Sequence, residues 1–243
     1  MRAPANEFPR YIPFGLSVIA GFVDAVIFLA LFGLYVAQAT GSFVIIGAHW
    51  LRPEPGFLVK VLAIPAFLIG GVVATLIVEA SRSSRRAALL RTLALEEILL
   101  LALFAAGASG FAAGDPDAPG VAVAALCGLF AMGLQSASVR LLMPGYGSTN
   151  VMTTNTTLVA IDLTHVALAL ASRRGEGRAA LGAAAARLAN SLSVVGGFLA
   201  GTLIGALAYH LAGLWALAVP LLLIYAVAAW VWFRLPRETM SGA

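Results

Sequence analysis

A bundle of membrane-spanning helices is the fold class this sequence predicts, and three observations predict it. Of its 243 residues, 61% are hydrophobic and only 11% charged, less than half the share of about 25% in an ordinary soluble domain. The mean hydropathy is +0.96, which fits a chain solvated by lipid. The apolar residues also gather into runs long enough to cross a hydrocarbon core, which takes about 20 of them as a helix. In this setting the surplus of Lys+Arg over Asp+Glu, 15 against 11, orients loops and is no nucleic-acid footprint. The single cysteine, Cys127, allows no disulfide framework within the chain.

Taken in order, the runs that qualify as crossings are roughly 12–33, 57–79, 92–113, 120–142, 184–209 and 212–233. Arg2 and Arg10 precede the first run, as in a signal peptide. That run is longer than a signal core of about 7–15 residues and contains Asp24, so it is expected to be a retained helix. Two further stretches, 35–50 and 149–171, are apolar but interrupted by Gln38-Ala39-Thr40-Gly41-Ser42 and by Thr153-Thr154-Asn155-Thr156. If both cross, there are eight crossings; if both leave and return on one side, there are six.

The basic residues decide between them. With six crossings and a cytoplasmic N-terminus, only Arg52 and Lys60 lie outside, together with the acidic Gly114-Asp115-Pro116-Asp117 loop. Eight crossings force Arg82, Arg85 and Arg86 outside, against the positive-inside bias. The expectation is therefore six crossings, both termini cytoplasmic, and two broken or re-entrant elements. Three crossings per half make any repeat inverted: residues 1–114 with re-entrant 35–50, and residues 120–243 with re-entrant 149–171, together one membrane domain. Gly21-Phe22-Val23-Asp24-Ala25 matches Gly133-Leu134-Gln135-Ser136-Ala137. Ala39-Thr40-Gly41-Ser42 matches Thr153-Thr154-Asn155-Thr156 at nearly the same spacing. Lys60 with Gly70-Gly71 matches Arg187 with Gly196-Gly197.

These residues also carry a resemblance. Gly21 to Ala25, Thr40-Gly41, and Met132-Gly133-Leu134-Gln135-Ser136-Ala137 with the second Thr-rich step resemble the YoaK-like family of bacterial inner-membrane proteins, over nearly the whole chain. Family members usually carry Asn where Ser42 stands, and Gly is common where Asn155 stands. The resemblance implies a shared fold and a bacterial inner-membrane location. It implies no substrate, because the family has no settled activity.

In hydrocarbon every backbone N–H and C=O needs a partner, so non-helical chain survives only inside protein or along a wet cavity. Gly41 permits a turn, and Thr40 or Ser42 can cap the half-helix that runs to Trp50. That half-helix of about nine residues spans about 14 Å, which places its N-terminus near mid-membrane. A helix start with free N–H groups receives anions or polar ligands. Paired broken helices from inverted repeats are a transporter arrangement. The substrate-binding candidates are therefore Gln38, Thr40, Gly41, Ser42, Gln135, Ser136, Thr153, Thr154, Asn155 and Thr156. The alternative is that the hydroxyls merely kink two spanning helices. Asp24, midway along the first crossing, costs about 2.5–3.5 kcal/mol on insertion scales and is the candidate coupling residue for a proton or cation. The structural alternative for it is a carboxylate bonded to a neighbouring helix or capping a half-helix.

Asp162 and His165 share a helix face about two to three turns from the Arg173-Arg174 loop and are read as an interfacial cluster that pairs with arginines. Glu96 and Glu97 are expected to snorkel or to pair with Arg187. His49 and His210 fall at outer ends. No metal-ligand spacing, nucleotide loop or nucleophile set occurs, and no cofactor is expected. Gly197, Gly201 and Gly205, with Gly70-Gly71 and Ala74 in the mate, read as close-packing faces, or as the surface of a homodimer. The sequence thus points to a non-enzymatic transporter of a small anion or polar solute, with lipid and solute as its partners and no nucleic acid. The alternatives are a passive channel of the same fold, then an intramembrane enzyme or a non-transporting membrane protein.

Overall fold

The computed structural model describes residues 8–110, 115–171 and 177–235. Among them every regular element is helical: α1 (Tyr11–Ala30), α2 (Gly41–His49), α3 (Phe57–Ala80), α4 (Arg85–Gly110), α5 (Pro119–Leu142), α6 (Met152–Ala171), α7 (Gly177–Ala212) and α8 (Ala218–Arg234). A 3-10 turn over Gly213–Leu217 joins the last two. By length and composition, α1, α3, α5, α6 and the Leu181–Arg234 stretch can each cross a membrane. The apolar spans of α1 and α5 are 72% and 61% buried, against 22% for α3. So α1 and α5 form the centre of a membrane protein, and the outer helices turn Leu68, Val72, Leu203 and Leu207 outward, where lipid is the matching solvent.

Glycines set how the central helices meet. A side chain at Gly21 would collide with the Phe198 carbonyl, and one at Gly201 with the Val18 carbonyl, so α1 lies backbone to backbone along α7. A side chain at Gly133 would strike the Phe67 carbonyl, and one at Gly70 the Phe130 carbonyl, so α5 lies along α3 in the same way. In both pairs the contacts advance together in sequence, as Gly197 with Phe14 and Gly205 with Phe22 show, so the partners run parallel. Small residues are what permit such an approach. The contacts differ from the expected match of Gly70-Gly71 with Gly196-Gly197: Gly70 meets the Phe130 carbonyl as Gly201 meets that of Val18, and Phe67 meets Gly133 as Phe198 meets Gly21.

Side-chain contacts order the two ends of the bundle. At one, Arg85 lies 5.8 Å from the Phe8 ring centroid, Arg86 4.7 Å from that of Trp232, and Tyr11 meets Trp230 edge-on at 5.4 Å. This basic end holds the starts of α1 and α4 and the finish of α8. At the opposite end the Gly56 N–H donates to Asp117 Oδ1 at 2.8 Å, and Phe104 packs on Trp215 at 5.1 Å. The chain between α1 and α3 therefore leaves and returns at the opposite end. With nine residues, α2 is too short to cross. The chain between α5 and the part of α7 that lies along α1 leaves and returns at the basic end, where Arg10 Nε donates to Asn190 Oδ1 at 3.2 Å.

The first stretch breaks where expected, immediately before Gly41. The second does not: α6 is continuous from Met152 to Ala171, and Thr153 to Thr156 sit in its first turns. Its break lies earlier, over residues 143–151. At 36 residues α7 is about 54 Å long, well beyond a core of about 30 Å. Its first third projects past the basic end with α6 alongside, clipped by Arg187 Nε donating to Asp162 Oδ1 at 2.9 Å. Arg187 thus pairs with Asp162 and not with a glutamate of α4. Among the described residues Asp162 has no other ion pair; Arg173 and Arg174 lie outside them. His165 is exposed, away from the buried Asp162.

Candidate functional site

After α1 the chain turns at Phe32 and Gly33, both at positive φ, 53° and 78°, a conformation that glycine adopts freely. It then runs back into the bundle. Asp24, 4% exposed, receives it: the N–H groups of Val36 and Ala37 both donate to Asp24 Oδ1, at 2.8 Å each. Gln38 lies against the same carboxylate. Val36 packs at Gly128 of α5 beside Leu103 of α4. This first loop ends at Thr40, and α2 heads back to the opposite end.

The second loop follows the same course from the basic end. It turns at Gly145, φ 92°, and re-enters along α5. Ser148 Oγ lies 2.5 Å from Ser136 Oγ and donates to Asn150 Oδ1 at 2.9 Å. Asn150 Nδ2 donates to the Met132 carbonyl at 2.9 Å. The Ser17 hydroxyl of α1 reaches the carbonyls of Thr149, at 3.2 Å, and Val194, at 2.6 Å. Asn155 Nδ2 then donates to the Ser148 carbonyl at 2.6 Å and ties the start of α6 to the loop.

Of the residues singled out in the sequence, Asp24, Ser136 and Asn155 bond to these loops and Gln38 lies in the first, while Gln135 turns to α1. Gln135 Nε2 donates to the Leu16 carbonyl at 2.7 Å, while its Oε1 is buried with no partner among the described residues. The start of α2 differs from expectation. The N–H groups of Gly41, Ser42 and Phe43 donate to the carbonyls of Gln38, Ala39 and Thr40, at 3.0, 3.0 and 3.2 Å, so they are not free. Thr40 stands at the N-cap without a side-chain cap bond and is exposed, and Ser42 is buried. The free amides lie one turn earlier, at Val36 and Ala37, and the chain's own carboxylate fills them. Thr153, Thr154 and Thr156 are exposed on α6. The two helix starts do not share a partner: α2 packs on α3 and α6 on α7. Three residues that sequence reasoning missed, Ser17, Ser148 and Asn150, carry most of the second loop's bonds. Ser148-Thr149-Asn150 was a visible polar triplet, at the edge of the stretch under suspicion.

Outside the loops, a groove of about 490 Å³ opens between α3 and α5, with Phe67, Gly71, Thr75, Gly133, Ser136 and Arg140 among its walls. No cluster of potential metal ligands occurs among the described residues.

Fold and site together define a helical, membrane-type protein with two buried polar loops. The family model described as Protein of unknown function (DUF1275) matches residues 12–230. The chain belongs to that family, and the YoaK-like resemblance is consistent with it. No curated protein and no solved structure matches the chain.

Proposed function

We propose that the protein is a transporter of a small anion or polar solute, built as two inverted repeats of three crossings. The observation that carries this reading is the pair of re-entrant loops. They enter from opposite ends, and each is pinned by a polar side chain at an equivalent place: Asp24 to Val36 and Ala37, Ser136 to Ser148. The same spacing relates Gly33 to Gly145 and Gly21 to Gly133. The reciprocal packing of α1 on α7 and α5 on α3 fits two halves that exchange their first helices. Irregular chain meeting from both sides inside the bundle is the arrangement by which repeat transporters hold solute and ion. The arginines support a cytoplasmic side for the basic end, and the family resemblance supports a bacterial inner membrane.

Asp24 supplies the coupling. Each hydrogen bond to its charged carboxylate is worth about 1.5–3 kcal/mol. A proton or cation arriving there weakens two such bonds at once and releases the first loop. Binding energy at the carboxylate thereby becomes loop movement, which is what alternating access requires.

The test is uptake into proteoliposomes under a pH gradient, across a panel of small anions and polar solutes. The wild-type chain is expected to accumulate at least one solute. Asp24→Asn is expected to retain folding and lose gradient-driven accumulation. Full accumulation by that variant removes the coupling role. A unitary current far above carrier turnover replaces the carrier with a channel.

A further inference from the structure

We infer that the second loop binds a carboxylate-class anion at Ser136, Ser148 and Thr149, in the place that Asp24 occupies in the first loop. As the identity of a transported substrate this rests on the transporter reading; as a binding site it stands on the geometry alone.

The first loop is the template. There, two consecutive backbone N–H groups converge on one carboxylate oxygen, each at 2.8 Å. The corresponding amides of the second loop belong to Ser148 and Thr149, and the corresponding side chain is Ser136. Serine is shorter than aspartate and neutral, so this loop carries no carboxylate of its own. Among the described residues its hydroxyl reaches Ser148 Oγ alone. Thr149 is fully buried, and its Oγ1 has no partner among the described residues. A buried hydroxyl without a partner calls for a cause, and a ligand is one. Paired backbone N–H groups with adjacent hydroxyls are a general means of receiving an anion.

The approach to this place is also built. Ser136 lines the groove between α3 and α5, and Arg140, one helical turn nearer the basic end, lines it too. Arg140 is exposed and makes no ion pair among the described residues. One guanidinium at the mouth and neutral donors within suit a single negative charge. The first loop shows that charge as a carboxylate.

The probe is acetate, added to the purified full chain in detergent and followed by magnetization transfer from protein to its methyl protons. Saturable binding is expected. Ser136→Asp installs the carboxylate that the first loop already has. It is expected to weaken acetate binding by about tenfold or more while leaving thermal stability equal or higher. Arg140→Gln, at the groove's mouth, is expected to weaken binding several-fold without touching the loop, which keeps a readout if Ser136→Asp fails to fold. Wild-type affinity in folded Ser136→Asp, or no saturable binding by the wild-type chain, overturns the proposal. Acetate binding that Ser136→Asp abolishes, with no uptake of any carboxylate into vesicles, leaves the site standing and removes the transporter. Uptake of solutes without acetate binding does the reverse.

Discussion

Asp24 shows how a buried charge in a membrane protein is made tolerable. A carboxylate without partners inside the bundle would carry a large desolvation cost, and two backbone N–H groups of the chain's own loop offset it. Glu96 is the contrasting case. It is 1% exposed, on the face of α4 that meets α5, and its Oε1 has no partner among the described residues. Leu103 meets Gly128 across that seam, and one heptad back along α4 and forward along α5 brings Glu96 level with Gln135, whose Oε1 is also unpartnered. Glu96→Leu removes a buried polar group worth about 1–3 kcal/mol of desolvation. Thermal unfolding in detergent is expected to move up by on the order of 5 °C. An unchanged or lower midpoint would show that Glu96 has a partner stabilising it. Asp24 was legible as an intramembrane charge, whereas Glu96 was expected to snorkel or to pair with Arg187 and is instead buried. Their surroundings were not legible, because backbone amides have no signature in sequence and neither does the side chain that the neighbouring helix brings alongside.

Among the elements, the glycine seams make the sharpest prediction. Gly133→Ala places a methyl group against the Phe67 carbonyl and must push α3 from α5, at a cost of about 1–3 kcal/mol. A fall in thermal midpoint on the order of 5 °C is expected. Gly71→Ala, on α3 at the same seam, is the control: its nearest neighbour would be the Ala137 Cβ at 3.9 Å, an ordinary contact, and its midpoint should not move. The half-helix from Gly41 was readable because a glycine and polar side chains interrupt an apolar run. The second break was misplaced because four consecutive polar residues at 153–156 drew attention from the shorter triplet before them. Threonine and asparagine sit adequately in a helix's first turn, so that cluster never broke α6. The doublet at 196–197 misled in the same way. Adjacent glycines are conspicuous, but α1 lies against a four-residue periodicity, at 197, 201 and 205.

For the whole molecule, both readings of the crossings place Arg52 and Arg85 on opposite sides, but in opposite senses. The assignment of the basic end to the cytoplasm predicts that a cysteine at 85 is reached by an impermeant thiol reagent only after the membrane is opened, and one at 52 without opening it. Cys127 is half-buried and should be replaced by alanine first. The reverse pattern would put the basic end outside or require the eight-crossing arrangement, in which α4 and α8 point the same way. Their contacts, Arg86 with Trp232 at one end and Phe104 with Trp215 at the other, run oppositely. The length of α7 has a mechanical side. A single rod that crosses the bilayer and continues beyond it is a lever, and its fulcrum is the narrow seam where Gly197, Gly201 and Gly205 touch α1. Whatever displaces the protruding arm on the arginine-rich side pulls first on Val194, just before that seam, whose carbonyl Ser17 holds beside the second loop.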